Sequence, residues 1–207
     1  MNTKKITKSS RGRPVGDHDE KRNELLCTAI NLLVTDGYAG LSMRNLASKA
    51  QVTTGAITYY FANKSELMKG VSDELFNRFS LLLAKNTEID IKQAVEEWIN
   101  WTYSDGGEIW KAFLQVQFYA AEDKTFIDYA QKRYDIFISQ LKHFIESGQK
   151  SKQIRNDIPA EILAEQLSAM GDGMMIMQSI YPERLSIEKI AQFKKGILSL
   201  ISPQLAV

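Results

Sequence analysis

Apolar residues recur three and four positions apart along almost the whole chain, the period of helices that bury one face. The first such stretch, about Asp19 to Asp36, carries Leu26, Ala29, Ile30 and Leu33, and Gly37 stops it. Leu41 to Leu67 reads as two short helices joined by a tight turn, then the capped start of a third. Ser42 is a good N-cap for the stripe Met43, Leu46, Ala47 and Ala50; Val52 closes the turn, and Thr53 caps a helix from Thr54 to about Phe61. There Ile57 and Phe61, four apart, point inward, which turns Thr54, Gly55, Thr58 and Tyr59 outward. Asn63 with Glu66 three residues on has the form of a capping box. It opens a helix from Lys64 to about Lys85, lined by Leu67, Val71, Leu75, Phe79 and Leu82.

Five more helices follow from the same reading. Thr87 to Tyr103 is broken by Ser104 to Gly107; Glu108 to about Glu122 is apolar around much of its circumference and belongs deep in the protein. Thr125 to about Gly148 comes next, then a polar link from Gln149 to Asn156. Asp157 and Pro159 start a helix carrying Ile162, Leu163, Gln166, Leu167, Met170, Gly173, Met174 and Met177, which Tyr181-Pro182 ends. Ser186 caps a last helix with Ile187, Ile190, Ala191, Ile197, Leu198 and Ile201. The expectation is an all-α protein of nine helices, three in a head and six in a body.

Composition narrows the class. With 207 residues, 44% of them hydrophobic, the chain has enough apolar content for a small head and one larger domain. A single Cys excludes an intramolecular disulfide framework and suits a reducing cytoplasm. No apolar run approaches the roughly 18 residues a membrane span needs, and the basic N-terminus lacks an apolar leader, so no membrane is expected as a partner. Cys27 reads as a small buried or half-buried residue, and His18 and His143 as surface residues, one in a tail. No metal site, cofactor or catalytic set is expected: nucleophile elbow, phosphate-cradling loop, metal-spaced cluster and dinucleotide fingerprint are all missing.

The net charge of +1 conceals an asymmetry. Through Lys64, ten Lys and Arg face five acids, giving +5; the rest, with sixteen against twenty, carries −4. A basic head on an acidic body suits phosphate binding by one end. An exposed helix bearing Thr, Gly, Thr and Tyr with Lys64 nearby is poor core but a suitable surface for a DNA groove. Residues 1–18 form a basic arm in which Ser10-Arg11-Gly12-Arg13-Pro14 resembles the core of an AT-hook, whose Arg-Gly-Arg lies along a narrow A·T-rich minor groove. A solubilising tail is the other reading of that arm.

Gly37-Tyr38, Leu41-Ser42-Met43, Ala47, Ala50, Val52, Thr54-Gly55-Ala56-Ile57, Tyr59-Tyr60-Phe61 and Lys64-Ser65-Glu66-Leu67 together resemble the helix-turn-helix of TetR-type transcriptional repressors. The resemblance is strong over residues 20–68 and covers the rest in outline. Two departures stand out. Gln51 replaces the usual Gly, so the turn has to hold a side chain in a left-handed conformation. Thr58 replaces the usual aromatic. The resemblance implies a DNA-binding domain over residues 19–66 and a ligand-binding and dimerisation domain over 67–207. It implies DNA contacts from Arg11, Arg13, Ser42, Arg44, Thr53, Thr54, Gly55, Thr58, Tyr59, Tyr60 and Lys64.

In the body, Trp110, Phe113, Leu114, Gln117 and Phe118 share one broad helical face, with Gln117 its polar member. Trp98, Trp101, Tyr134, Met170 and Met174 could supply further walls of a small-molecule site; the same residues would equally make an ordinary helical core. The candidate ligand-binding set is Trp98, Trp110, Phe113, Gln117, Tyr134, Met170 and Met174, for an uncharged or cationic, partly apolar effector. The family arrangement pairs the last two helices with their copies in a homodimer, and Ala164, Ser168, Gly171 and Gly173 allow close crossing. The segment Ala169 to Glu183 faintly resembles the betaine/choline-responsive subgroup, too faintly to name a ligand.

The functional expectation is a dimeric transcriptional repressor, bound to a palindromic double-stranded operator and released by a small-molecule effector. An architectural DNA-bound protein without an effector, and a small helical enzyme, are the rivals from other classes.

Overall fold

The computed structural model describes residues 15–84, 90–103, 106–181, 183 and 186–203. Among them are nine helices and no strand: α1 (Val15–Gly40), α2 (Met43–Lys49), α3 (Thr54–Tyr60), α4 (Lys64–Ala84), α5 (Ile91–Tyr103), α6 (Gly106–Glu122), α7 (Ile127–Lys150), α8 (Ala160–Ile180) and α9 (Ile187–Ile201). None of these is long and apolar enough to cross a membrane.

Local chemistry sets most boundaries. Ser42, Thr53 and Ser186 each accept a hydrogen bond from the backbone N–H three residues on, at 3.1, 3.1 and 3.2 Å, which satisfies one orphan donor of the helix each precedes. Asn63 does the same for Glu66, but the Glu66 carboxylate pairs with Lys69 at 2.9 Å. The straight part of α1 ends at Gly37, whose φ of 68° and ψ of −175° lie where only glycine is comfortable. At the other end α1 starts four residues earlier than expected. His18 is therefore helical, with its ring against Tyr59 and Tyr60 (centroids 5.5 and 4.9 Å apart). The expected break at Ser104 to Gly107 lies partly outside the described residues, and Gly106 and Gly107 belong to α6. The expected start of α5 at Thr87 also lies outside them; Asp90 accepts from the Lys92 N–H at 2.9 Å, one residue before α5 begins.

The core has two parts. The first runs without a seam from Leu26, Leu33, Leu46, Ile57 and Phe61, along Leu67, Val71, Leu75 and Phe79 of α4, to Trp110, Val116 and Phe126. The second joins Val95 and Ile99 of α5 to Leu141 and Ile145 of α7, Leu163 and Met174 of α8, and Ile197 and Ile201 of α9. Helix α3 has seven residues, too few to be stable alone; full burial of Ile57 and Phe61, at about 1.5–3 kcal/mol each, anchors it.

Two readings of single residues change. Cys27 is exposed, with its sulfur 3.5 Å from an Arg78 guanidinium nitrogen. Phe118 is 67% exposed, because α6 turns Ala112, Val116 and Ala120 inward as its tight packing edge. Small side chains at i, i+4 and i+8 let α6 lie closely along α1, and the bulkier Phe118 is rotated out.

Candidate DNA surface and body cavity

The turn between α2 and α3 has the left-handed residue that the missing glycine requires: Gln51 sits at φ 54°. Around it Val52 N–H donates to Ala47 O at 2.9 Å and Gln51 N–H to Ser48 O at 3.2 Å, so the turn's backbone is hydrogen-bonded despite the strained residue. Thr53 then caps α3, and with Ile57 pinned inside, the opposite face of α3 is committed to solvent. Thr53, Thr54, Gly55 and Thr58 are exposed there, Tyr59 is 72% exposed, and Arg44 of α2 is exposed as well. A Cβ on Gly55 would come no closer than 3.8 Å to another side chain, so nothing in the protein crowds that backbone. Thr58 Oγ1 donates to Gly55 O at 3.0 Å.

Ser42, Tyr60 and Lys64 are half-buried. Tyr60 packs against both Tyr59 and His18, which also meet each other. Lys64 Nζ donates to Tyr38 O at 3.1 Å and sits 3.6 Å from the centre of the Tyr38 ring; burial lowers its pKa. The ammonium is thus held at the N-terminus of α4, with two donor hydrogens left over among the described residues. Arg11 and Arg13 lie outside the described residues.

Tyr38 also ties the head to the body. Its N–H donates to Gln115 Oε1 of α6 at 3.2 Å, and its ring stacks on Tyr119 of α6 at 4.8 Å. Tyr119 O–H donates to Asp123, whose carboxylate also accepts from Thr125 N–H at 2.8 Å. Thr125 Oγ1 donates to it as well, at 2.6 Å, and this bond, followed by those from Tyr119 and the Thr125 N–H, holds the Asp123 pKa down at about 2. Burial first, and then the bond to Asp123, push Tyr119 up. A second tie runs from α7 to α4, where Tyr129 O–H donates to Asp73 and Arg133 pairs with Asp73 at 3.0 Å.

Inside the body a cavity of about 120 Å3 opens among α4 to α9. Trp98, Trp110, Phe113 and Tyr134 line it together with Phe76 and Phe79 of α4. The rings are mutually braced: Phe79 meets Trp110 at 4.7 Å and Trp101 at 5.1 Å, and Trp101 meets Trp110 at 5.2 Å. Tyr134 Oη and Ser168 Oγ hydrogen-bond to each other at 2.7 Å.

Three of the expected ligand-binding residues do not line the cavity. Gln117 lies one turn, about 6 Å, beyond Phe113 along α6, toward the end that meets the head. Met170 and Met174 sit on the neighbouring face of α8, packed with the second core cluster. The face of α8 that lines the cavity is Leu167, Ser168, Gly171, Asp172 and Met175, at spacings of one turn. Gly171 matters by its size, since a Cβ there would lie 3.2 Å from the Trp98 ring.

Asp172 was missed by the sequence reading, although one acid between two glycines in a Met-rich helix is a legible anomaly. It lines the cavity, and burial raises its pKa from the usual 3.8 to about 6.

Residues 25–71 match the family described as bacterial regulatory proteins, tetR family. The HTH-type transcriptional regulator PksA of Bacillus subtilis (strain 168) is 25% identical over 182 residues, covering 84% of this chain and 86% of that protein. The HTH-type transcriptional repressor KstR2 of Rhodococcus jostii (strain RHA1) is 25% identical over 154 residues, 69% of this chain and 72% of that protein. A transcriptional regulator from Saccharomonospora viridis, solved in complex with choline, shares the fold with a TM-score of 0.73 at 23% identity, over 90% of this chain and 100% of that one.

Proposed function

We propose, from the premise that this chain is a TetR-type helix-turn-helix transcriptional regulator, that it is a homodimeric repressor released from a palindromic operator by a small-molecule effector. One observation carries the reading. Helix α4 holds Lys64 beside the outward face of α3 at one end and places Phe76 and Phe79 in the cavity wall at the other. Fifteen residues separate Lys64 from Phe79, about 22 Å of helix, so a small tilt at the cavity end moves the head by several ångströms.

In this reading α3 enters the major groove. Thr54, Thr58 and Tyr59 meet base edges and backbone, Gly55 lets a strand approach closely, and Ser42, Arg44, Thr53 and Tyr60 reach flanking phosphates. Lys64 gives one phosphate contact while staying on Tyr38, and Arg11 and Arg13 of the arm add contacts in an adjacent minor groove. Two heads reach two half-sites when their α3 helices are about 34–36 Å apart, one turn of DNA, and an effector that favours another spacing loosens the grip. Coupling of about 1–3 kcal/mol gives a 5–150-fold release. Support for effector control comes from the aromatic cavity and from the choline held by the Saccharomonospora regulator. The name of the Rhodococcus relative supports repression.

Support for the dimer comes from the outer faces of the last two helices. Ile162, Ile176 and Ile180 share one exposed face of α8, and Gly173 between them meets nothing within 4 Å. Of the four small residues expected to permit crossing, Ala164, Ser168 and Gly171 are spent inside this chain, which leaves Gly173 for a partner copy. Gly196 of α9 is equally open, beside exposed Leu200.

The test is a footprint on the DNA upstream of the protein's own gene, repeated with the small-molecule fraction of a cell extract. Protection of a short inverted repeat, lost on adding the fraction, is the expected result. Broad protection without symmetry favours an architectural protein, and protection indifferent to every fraction removes effector control.

A further inference from the structure

Granted effector control through the body cavity, we propose that the effector is a small organic cation whose ammonium group binds against Asp172, within the ring of aromatic side chains. The cavity's charge is one-sided. Asp172 of α8 and Glu97 of α5 both line it, and no Lys, Arg or His does so among the described residues. Eight aromatic side chains make up much of the remaining wall. Ring faces are electronegative, so they add to the carboxylates in attracting a cation and oppose an anion.

The polar groups of the wall differ in what they still lack. Ser168 and Tyr134 satisfy each other, and Glu97 accepts from Gln93 Nε2 at 2.9 Å. Elsewhere in the protein, half-buried or helix-end carboxylates have partners too: Asp73 has Tyr129 and Arg133, Asp123 has Tyr119 and Thr125, and Asp157 has Arg155. Asp172 has no hydrogen-bond or ionic partner among the described residues, while its surroundings penalise its charge. A lone carboxylate facing an aromatic cavity lacks a positive charge, and a ligand can supply one. Gly171 shapes the same spot by letting the Trp98 ring lie close to α8 one residue from Asp172. Beside Asp172 the wall holds one further unpartnered polar group, the Trp110 Nε1–H, which is a donor only. With so few free acceptors, the site suits a tertiary or quaternary ammonium, which brings charge and methyl surface and asks for few of them.

The pH dependence has a definite sign. Asp172 is mostly ionised at pH 7 and becomes neutral below about 6. Glu97 from α5 and Tyr134 from α7 share the cavity wall with it, Tyr134 within reach of its charge, and Glu165 lies two turns away on α8. Tyr134 is pushed up by burial and stays neutral, so it does not compete. Cation affinity is therefore highest at neutral pH and falls toward tenfold per pH unit below about 6.

The experiment is calorimetry and operator release with the full-length protein, using tetramethylammonium, choline and benzyltrimethylammonium. The neutral control is 3,3-dimethylbutan-1-ol, the carbon analogue of choline. At least one ammonium ion should bind and release the operator where the alcohol does neither. Asp172→Asn should keep its fold and operator affinity, lose at least tenfold in affinity for that ion, and lose the pH dependence below 6. Equal binding of the alcohol, unchanged binding by Asp172→Asn, or failure of all three ions overturns the proposal. The wider reading fails separately: if extract fractions still release the wild type and Asp172→Asn alike, effector control stands and the cation falls. If no fraction releases even the wild type, effector control falls as well.

Discussion

Gln51 shows how a residue can break a local rule and survive. A non-glycine residue in the left-handed region costs roughly 1–2 kcal/mol, part of which glycine would return as chain entropy. With φ 54° and an exposed side chain, Gln51→Gly should raise stability by about 0.5–1 kcal/mol in a denaturant titration and leave DNA affinity unchanged. Asp172 is the opposite case, a cost placed beside a cavity. Its pKa in the folded protein, about 6, exceeds the ordinary 3.8, so the folded state binds that proton more tightly between those values. The stability from this group is fully present below about 3.8 and lost as pH rises through about 6. Asp172→Asn should therefore stabilise the ligand-free protein at pH 7, by on the order of 1 kcal/mol once solvent screening is allowed for, with the gain vanishing near pH 4. Melting temperatures of both proteins at the two pH values give the check.

At the scale of elements, α3 and α4 divide the work of the head. Helix α3 is short and anchored by Ile57, so its outer side chains can change without unfolding it. Tyr59, 72% exposed, touches only His18 and Tyr60 among ring neighbours. Tyr59→Ala should leave the melting temperature within a degree or two and weaken operator binding by about 1–3 kcal/mol; wild-type affinity in a folded variant would place the wrong face in the groove. Lys64 is held in two ways, by Tyr38 and by the start of α4. Lys64→Ala should lower the slope of log affinity against log salt by about one. It should also cost roughly 1 kcal/mol of stability through the lost bond to Tyr38 O and the lost ring contact. Destabilisation with an unchanged salt slope would make Lys64 a brace and no more.

For the molecule as a whole, the shared core from Leu26 to Trp110 means that head and body do not move independently. Gln115 and Tyr119 of α6 grip Tyr38 at the Gly37 break, and the same helix carries Trp110 and Phe113 into the cavity. Assembly belongs to this scale too. Ile176→Glu with Ile180→Glu places two charges on the exposed face of α8. If that face meets its copy, sedimentation should show a monomer that keeps its helical content and loses tight operator binding. A variant that remains dimeric would move the interface elsewhere.

The sequence by itself determined what depends on neighbours within about four residues: the helices, the caps at Ser42, Thr53 and Ser186 and the outward side of α3; the left-handed Gln51 followed from the family resemblance, in which a Gly usually stands there. Caps and periodic stripes are local physics, so spacing reveals them. What only the tertiary structure decided is how each helix is rotated against distant ones. The tight edge Ala112, Val116 and Ala120 sends Phe118 outward and ends the cavity before Gln117. The packing of Met170 and Met174 with the second core cluster leaves Gly171, Asp172 and Met175 facing the space. An amphipathic stripe tells which residues avoid water, and several rotations of an apolar helix satisfy it equally. Which side chains then surround a shared void depends on partners as far apart in the chain as Phe76 and Ile201, and spacing along one helix carries no information about them.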